Sequence, residues 1–284
     1  MRTIEIITET KRMQGRSDQV RSQGKTIVFV PTMGFFHDGH LSLMRKGKSL
    51  GDDLVVSIFI NPTQFAPGED LASYPRDVER DLELTQKTGV DAVFVPDTKN
   101  VYSKEFQTYI NLEKLPHHLC GISRPIFFRG VATVVAKLFN IVKPHVAVFG
   151  HKDYQQLVVI RQMVRDLDFG IEVVGAPTIR EPDGLAMSSR NTYLTNDQRA
   201  SALSLYQSMK KTQAALKKGE QDTTRLIVMA KEFIQSHPYT EIDYINICDP
   251  DTLVDIKVVD KPVLMALAVK VGKARLIDNM MLNP

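Results

Sequence analysis

Between Lys25 and Gly175 short β-branched runs alternate with segments of helical period, and this rhythm constrains the fold more than any other feature of the chain. The runs are Thr26-Ile27-Val28-Phe29-Val30, Leu54-Val55-Val56-Ser57-Ile58-Phe59, Ala92-Val93-Phe94-Val95, Val146-Ala147-Val148-Phe149 and Ile171-Glu172-Val173-Val174. Between them, residues 77–87, 131–142 and 154–167 carry apolar side chains at three- and four-residue steps, as helices packed on a sheet require. The fold class expected is therefore α/β, a Rossmann-like doubly wound parallel sheet. After Arg180 the texture changes. A loop-like Glu181-Pro182-Asp183-Gly184 precedes two helical stretches, 196–217 and 223–235, and strand candidates follow at 242–247, 263–271 and 274–277. That order predicts a smaller C-terminal α+β domain, with domains at 1–180 and 181–284.

Composition excludes some function classes. The 284 residues are 43% apolar and 24% charged, ordinary for a globular protein and too apolar for extensive disorder. A formal charge of +3 decides little, because the basic residues are dispersed. The densest group, Lys210, Lys211, Lys217 and Lys218, reads as the solvated face of a helix. No concentrated basic or aromatic surface for nucleic acid is visible. Cys120 and Cys248 stand in neither CxxC nor metal-ligand spacing and are expected to stay reduced. Arg2, Glu5, Glu9, Lys11 and Arg12 interrupt any signal-peptide core, and no apolar run approaches a membrane span, so the expectation is a cytoplasmic protein with no membrane partner.

Two short segments carry chemistry. Pro31-Thr32-Met33-Gly34-Phe35-Phe36-His37-Asp38-Gly39-His40 follows the first strand run and opens a helix. Its His-x-Gly-His core sets two imidazoles on one face beside free backbone N–H groups and the positive end of the helix dipole, which suits a triphosphate. Gly39 lets phosphate approach the backbone. Alone, the pair reads equally well as surface histidines or half of a metal site. The second segment, Gly184-Leu185-Ala186-Met187-Ser188-Ser189-Arg190-Asn191, gathers two hydroxyls and a guanidinium on a loop. Such a set can hold developing polyphosphate charge, although by itself a helix N-cap with an exposed arginine is the simpler account.

Together the two segments resemble the HIGH and KMSKS signatures of the nucleotidyltransferase superfamily. Within it the chain resembles the pantothenate synthetase family along nearly its whole length. The resemblance is carried by 31–40, by 57–65 with Asn61-Pro62-Thr63-Gln64-Phe65, by Tyr74-Pro75-Arg76, by 133–144, by Phe149-Gly150-His151-Lys152-Asp153-Tyr154-Gln155-Gln156, by Met187-Ser188-Ser189-Arg190-Asn191 and by Arg275-Leu276-Ile277-Asp278-Asn279. It implies an AMP-forming ligase of coenzyme A precursor synthesis that condenses pantoate with β-alanine through a pantoyl-adenylate, and it implies a homodimer.

By that resemblance ATP lies across Met33, Gly34, Phe35, Phe36, His37, Asp38, Gly39 and His40, across Gly150, His151, Lys152 and Asp153, and across Ile179, Met187, Ser188, Ser189 and Arg190. The first domain would then bind ATP and pantoate, and the second, beginning with the Met-Ser-Ser-Arg loop, would act as a lid. His40 matches the family's catalytic histidine, a proton donor; His37, Lys152, Ser188, Ser189 and Arg190 complete the implied catalytic set. Gln64 and Gln156 match the pair that holds pantoate, Gln64 also lies beside the β-alanine site, and Asn61 and Tyr74 are weaker candidates for the same pocket. Glutamine offers donor and acceptor without a charge that competes with an incoming carboxylate.

Three departures stand out: Arg124-Pro125-Ile126-Phe127-Phe128 for the usual Arg-Pro-Gly-His-Phe, His151 for a usual Glu, and Leu119-Cys120-Gly121 for Leu-Glu-Gly. Asp81 matches one acidic residue that lies near the metal in the family, while Arg80 occupies an adjacent site that is often acidic. No protein ligand of a metal is assigned. Magnesium is expected to enter with ATP, keeping several waters. The rival readings are an adenylyltransferase acting on a phosphate ester, which would need a basic anion site in place of the glutamines, and an RNA-binding relative of the aminoacyl-tRNA synthetases.

Overall fold

A computed structural model describes residues 4–284; Arg2, invoked above for the N-terminus, lies outside them. The chain forms two compact units. The first comprises residues 4–113, Arg124–His151 and Gln156–Pro177, and the second Lys114–Ser123, Lys152–Gln155 and Thr178–Pro284.

The first unit is built on six strands: β1 (Glu5–Ile7), β2 (Ile27–Thr32), β3 (Asp53–Ile58), β4 (Ala92–Phe94), β5 (Val146–Gly150) and β6 (Glu172–Ala176). They pair in parallel in the order β1-β4-β3-β2-β5-β6. Helices α1 (Thr10–Ser22), α2 (Asp38–Lys48), α3 (Val78–Gln86), a single turn α4 (Thr98–Val101), α6 (Phe127–Val142) and most of α7 (Tyr154–Asp166) belong to it. The short α5 (Cys120–Ser123) lies in the second unit. Alternate residues of β2 explain the double winding. Val28 and Val30 share a buried cluster with Leu41 and Met44 of α2. Phe29, one residue out of phase, meets Phe139 of α6 edge-on at 6.5 Å. Helices thus cover both faces, as the unbroken burial of Ile27 to Val30 demands.

The second unit carries α8 (Asn196–Leu216), α9 (Thr223–Gln235) and an antiparallel meander of β7 (Thr240–Cys248), β8 (Val263–Val271) and β9 (Ala274–Leu282). A capping box of Thr195 and Gln198 starts α8. Leu205 and Met209 of α8, Leu226 and Ile234 of α9, and Met265 and Leu267 of β8 share one core. The expected α/β class with a small α+β part is the architecture found. Several elements exceed the sequence reading: β1 and α1 have no counterpart in it, α6 begins four residues before 131, β7 overruns 242–247 at both ends, and β9 continues five residues beyond Ile277.

Candidate active site

In the first unit the strand order reverses beside β2, which lies between β3 and β5. The carboxyl ends of strands at such a point are where open α/β sheets bind ligands. The chain leaves β2 through two left-handed residues, Gly34 at φ 84° and Phe35 at φ 53°. A Cβ at Gly34 would stand 2.9 Å from Ile58 Cγ2 and 3.0 Å from Asp81 Oδ2, so glycine is needed for space as well as for φ. Phe35 has no such freedom, and left-handed backbone costs an L-residue roughly 1–2 kcal/mol. Asp81 holds it there. The Asp81 carboxylate accepts the N–H of Phe35 at 2.6 Å on one oxygen and of Phe36 at 2.7 Å on the other. Burial outweighs these two donors and pushes the Asp81 carboxyl above its ordinary range.

The pinned loop delivers His37 as N-cap of α2 and His40 as its third residue, with ring centroids 4.1 Å apart. Phe36 lies 5.4 Å from the His40 ring. The His37 N–H donates to His40 Nδ1 at 3.4 Å. A ring nitrogen that accepts carries no proton, so neutral His40 keeps its proton on Nε2. Asp38 sits in the first turn, where a helix favours negative charge.

At the end of β3, Asn61 and Gln64 frame a turn of 3-10 helix, Pro62–Gln64, and both are buried. The Asn61 amide donates to Gln64 Oε1 at 2.9 Å and to the Gly130 carbonyl at 3.1 Å. Gln64 Nε2 stands 3.4 Å from Met33 Sδ, which joins the acid-pocket candidate to the nucleotide-loop candidate. The Gln64 carbonyl accepts from Arg124 at 3.3 Å. Arg124 makes a forked pair with Glu69 at 2.7 and 2.6 Å and lies 3.9 Å over the Phe127 ring. Burial alone would raise the Glu69 carboxyl, but Arg124 holds it below its usual range. Phe127 thus supports the arginine that braces Gln64. Tyr74, the other weak candidate, is buried with its ring 6.2 Å from Phe65.

At the end of β5, Gly150 leads into His151. The His151 ring lies against Gly175 of β6, where a side chain would overlap it. Burial, and then Arg161, lower the His151 pKa and favour neutral imidazole. Gln156 is half-buried near the start of α7.

In the second unit, Lys152 Nζ lies 3.3 Å from Asp153 Oδ1, and the Lys152 carbonyl accepts from Asn279 Nδ2 at 2.9 Å. The Asn279 N–H donates to Asp278 at 2.8 Å. Asp278 is buried and grips Arg180 through two hydrogen bonds of 2.6 and 2.9 Å. Arg180 also donates to the Gly184 carbonyl at 3.1 Å and stacks 4.0 Å over Tyr206. This fixes the stem of the hairpin in which Arg180 bridges to Ala186 and the Met187 N–H donates to the Ile179 carbonyl at 3.0 Å. Ser188 caps the 3-10 turn Ser189–Tyr193, its hydroxyl accepting the Arg190 N–H at 3.3 Å. Asn191 closes the loop from the other end, donating to Glu181 at 2.7 Å and to the Ala186 carbonyl at 3.0 Å.

The first unit thus brings together Met33, Gly34, Phe35, Phe36, His37, His40 and Gln64, and the second brings together Ile179, Met187, Ser188 and Arg190. The sequence reading gives no part to Tyr102 or Arg180, and quotes Asp278 and Asn279 without a role. Among the described residues no group of three or more His, Cys, Asp or Glu side chains is arranged to hold a metal ion.

The family model described as Pantoate-beta-alanine ligase matches residues 5–281. A pantothenate synthetase of Desulfatibacillum aliphaticivorans is 58% identical over 281 residues, 99% of this chain and 100% of that one. One of Thermotoga petrophila is 50% identical over 283 residues, with 100% of both chains covered. Among solved structures, a pantothenate synthetase of Thermus thermophilus superposes with a TM-score of 0.93 at 39% identity, covering 99% of this chain and 100% of that one. The pantoate-β-alanine ligase of Francisella tularensis, complexed with β-γ ATP and β-alanine, superposes at a TM-score of 0.81 and 33% identity, covering 98% of both chains.

Proposed function

The chain belongs to the pantoate-β-alanine ligase family, and from that premise we propose how its own residues bind ATP, activate pantoate and pass it to β-alanine. Its activity is the ATP-dependent joining of pantoate to β-alanine in pantothenate biosynthesis. In the first step a pantoate carboxylate oxygen attacks the α-phosphorus, the bond to the β-phosphate oxygen breaks, and pyrophosphate leaves. In the second the β-alanine amine attacks the acyl carbon, the acyl–oxygen bond breaks, AMP leaves and the nitrogen loses its proton. Adenylation is needed because a free carboxylate is a poor acyl donor.

The observation that carries the assignment of roles is the pinned loop from 33 to 37, which ends on His37 and His40 at the start of α2. There His40 Nε2–H donates to a phosphate oxygen as charge builds on it, and the α2 N-terminus adds its dipole. Met33 to His40, Gly150 and His151 belong to the nucleotide in the first unit. In the second, Lys152, Asp153, Ile179, Met187, Ser188, Ser189 and Arg190 act toward the polyphosphate, with Lys152 as a mobile charge and Arg190 as a planar donor fork. Gln64 and Gln156 hold pantoate, and Gln64 also lies beside β-alanine. Magnesium would enter with ATP and would lend charge neutralisation to the phosphates. The chain acts in the cytoplasm as a homodimer; two buried free thiols, Cys120 and Cys248, support a reducing compartment. Among the described residues no helix is long and apolar enough to cross a membrane.

An assay that omits ATP, pantoate and β-alanine in turn tests the reading. AMP, pyrophosphate and pantothenate are expected in equal amounts only when all three are present. Formation of ADP instead of AMP, or equal turnover with a phosphate ester in place of pantoate, would reject it. Gln156→Ala provides a sharper check on the acid pocket. Removing one or two buried hydrogen bonds costs about 1–3 kcal/mol each when the partner is left unpaired, so pantoate KM should rise at least about fivefold. ATP binding by calorimetry should survive; loss of ATP affinity with unchanged pantoate KM would remove Gln156 from the pantoate site.

A further inference from the structure

Asn61 is 1% exposed, and each side of its amide meets partners of one kind. Its Oδ1 faces three donors: the Thr63 N–H at 3.3 Å, the Thr63 hydroxyl at 2.9 Å and the Tyr102 hydroxyl at 2.8 Å. Its Nδ2 faces two acceptors, the Gly130 carbonyl and Gln64 Oε1. Turning the amide over would set N–H against the Thr63 N–H and oxygen against the Gly130 carbonyl, so only one orientation satisfies this buried site. Gly130 also fixes the distance, because a Cβ there would overlap the Thr63 carbonyl.

The orientation propagates to the next amide. With Oε1 engaged by Asn61, Gln64 keeps its NH2 group for other partners, and the neighbour of that group is Met33 Sδ, a weak acceptor that a carboxylate or hydroxyl oxygen outcompetes. We propose that Tyr102 is a positioning residue for the acid substrate: through Asn61 it fixes the Gln64 amide with its N–H groups outward, so that position 64 reads an acceptor oxygen. The inference rests on the assignment of Gln64 to pantoate.

Tyr102 is suited to the part. Its ring packs against Phe106 at 4.8 Å and Phe59 at 6.3 Å, with Lys137 Nζ 5.7 Å from its centroid. Burial pushes its hydroxyl pKa up to about 12, against a smaller opposing effect of Thr63, so it remains a donor through the neutral range.

A double-mutant cycle tests the relay. Tyr102→Phe keeps the ring and removes the donor, and pantoate KM is expected to rise about three- to tenfold, with ATP KM within about twofold of wild type. In a Gln64→Ala background the same change should alter pantoate KM by less than about 1.5-fold, because the group it positions is gone. If Gln64→Ala leaves pantoate KM unchanged, the assignment of Gln64 falls and the inference falls with it. If Gln64→Ala raises pantoate KM but Tyr102→Phe does not, or acts equally in both backgrounds, the relay alone is overturned. A merely structural role would raise ATP KM and pantoate KM together and lower the melting temperature. Asn61→Asp tests the same point without touching Tyr102. It keeps an oxygen for Tyr102 and Thr63 but sets a second against the Gly130 carbonyl, which cannot turn, and against Gln64 Oε1, which must turn over; an unchanged circular dichroism spectrum shows that the fold survives the first. Pantoate KM should then rise about tenfold or more with ATP KM unchanged, and a wild-type pantoate KM would contradict the proposal.

Discussion

Replacing His40 by alanine is expected to slow pantoate-dependent adenylation by about a hundredfold or more, the scale on which a positioned proton donor or charge stabiliser acts. Asp81 holds a left-handed Phe35, the turn sets His37 as N-cap, and the His37 N–H occupies His40 Nδ1, which leaves the proton on Nε2. Alanine removes that donor without opening the core, since His40 is only half-buried. Lys152→Ala should have an effect of similar size, by deleting a cation rather than a proton donor. Its carbonyl bond to Asn279 uses the backbone and survives the substitution. Burst and steady-state rates, with circular dichroism to verify folding, would check both. Rates within a few-fold of wild type in either variant would displace that residue from the phosphate chemistry.

Asp278→Ala should be the costliest single change to stability at the site, at about 3–5 kcal/mol, the range found when one partner of a buried ion pair is removed. Asp278 is 3% exposed and accepts two hydrogen bonds from the Arg180 guanidinium, and its carboxylate also accepts the Asn279 N–H. Its loss would leave Arg180 anchored by the Gly184 carbonyl and the Tyr206 ring. Scanning calorimetry should show the melting temperature lowered by at least about 6 °C, from the usual scaling of about 2–4 °C per kcal/mol for larger chains. A shift under about 2 °C would mean that the ion pair contributes little net energy. Asp278→Asn, which keeps the shape, should fall between the two.

Burial and distance in sequence decide what could be read in advance. β2, β3 and β5 are legible because strands covered on both faces are unbroken apolar runs. β1 is not, because three residues at a sheet edge, with Ile6 48% exposed, show no period. A reading of β9 stops short at Ile277 because Asp278-Asn279 looks like a polar break; burial of Asp278 against Arg180 lets the strand run through it. The two chemical segments are legible because each is contiguous, with its histidines or its serines and arginine within a few positions. Their supports are not. Asp81 reaches Phe36 across 45 positions, Tyr102 reaches Asn61 across 41, and Arg180 reaches Asp278 across 98. Asn61 and Gln64 lie three apart, close enough to suggest a shared pocket, but which end of each amide is committed depends on Tyr102 and Gly130.

Formation of pantoyl-adenylate as a discrete, non-covalently held intermediate before β-alanine reacts is tested most directly by isotope exchange. With pantoate and magnesium-ATP present and β-alanine absent, labelled pyrophosphate should enter ATP at a rate comparable to turnover. Exchange should disappear when pantoate is omitted, and His40→Ala should suppress it. Exchange that strictly requires β-alanine, or that proceeds without pantoate, would contradict the account.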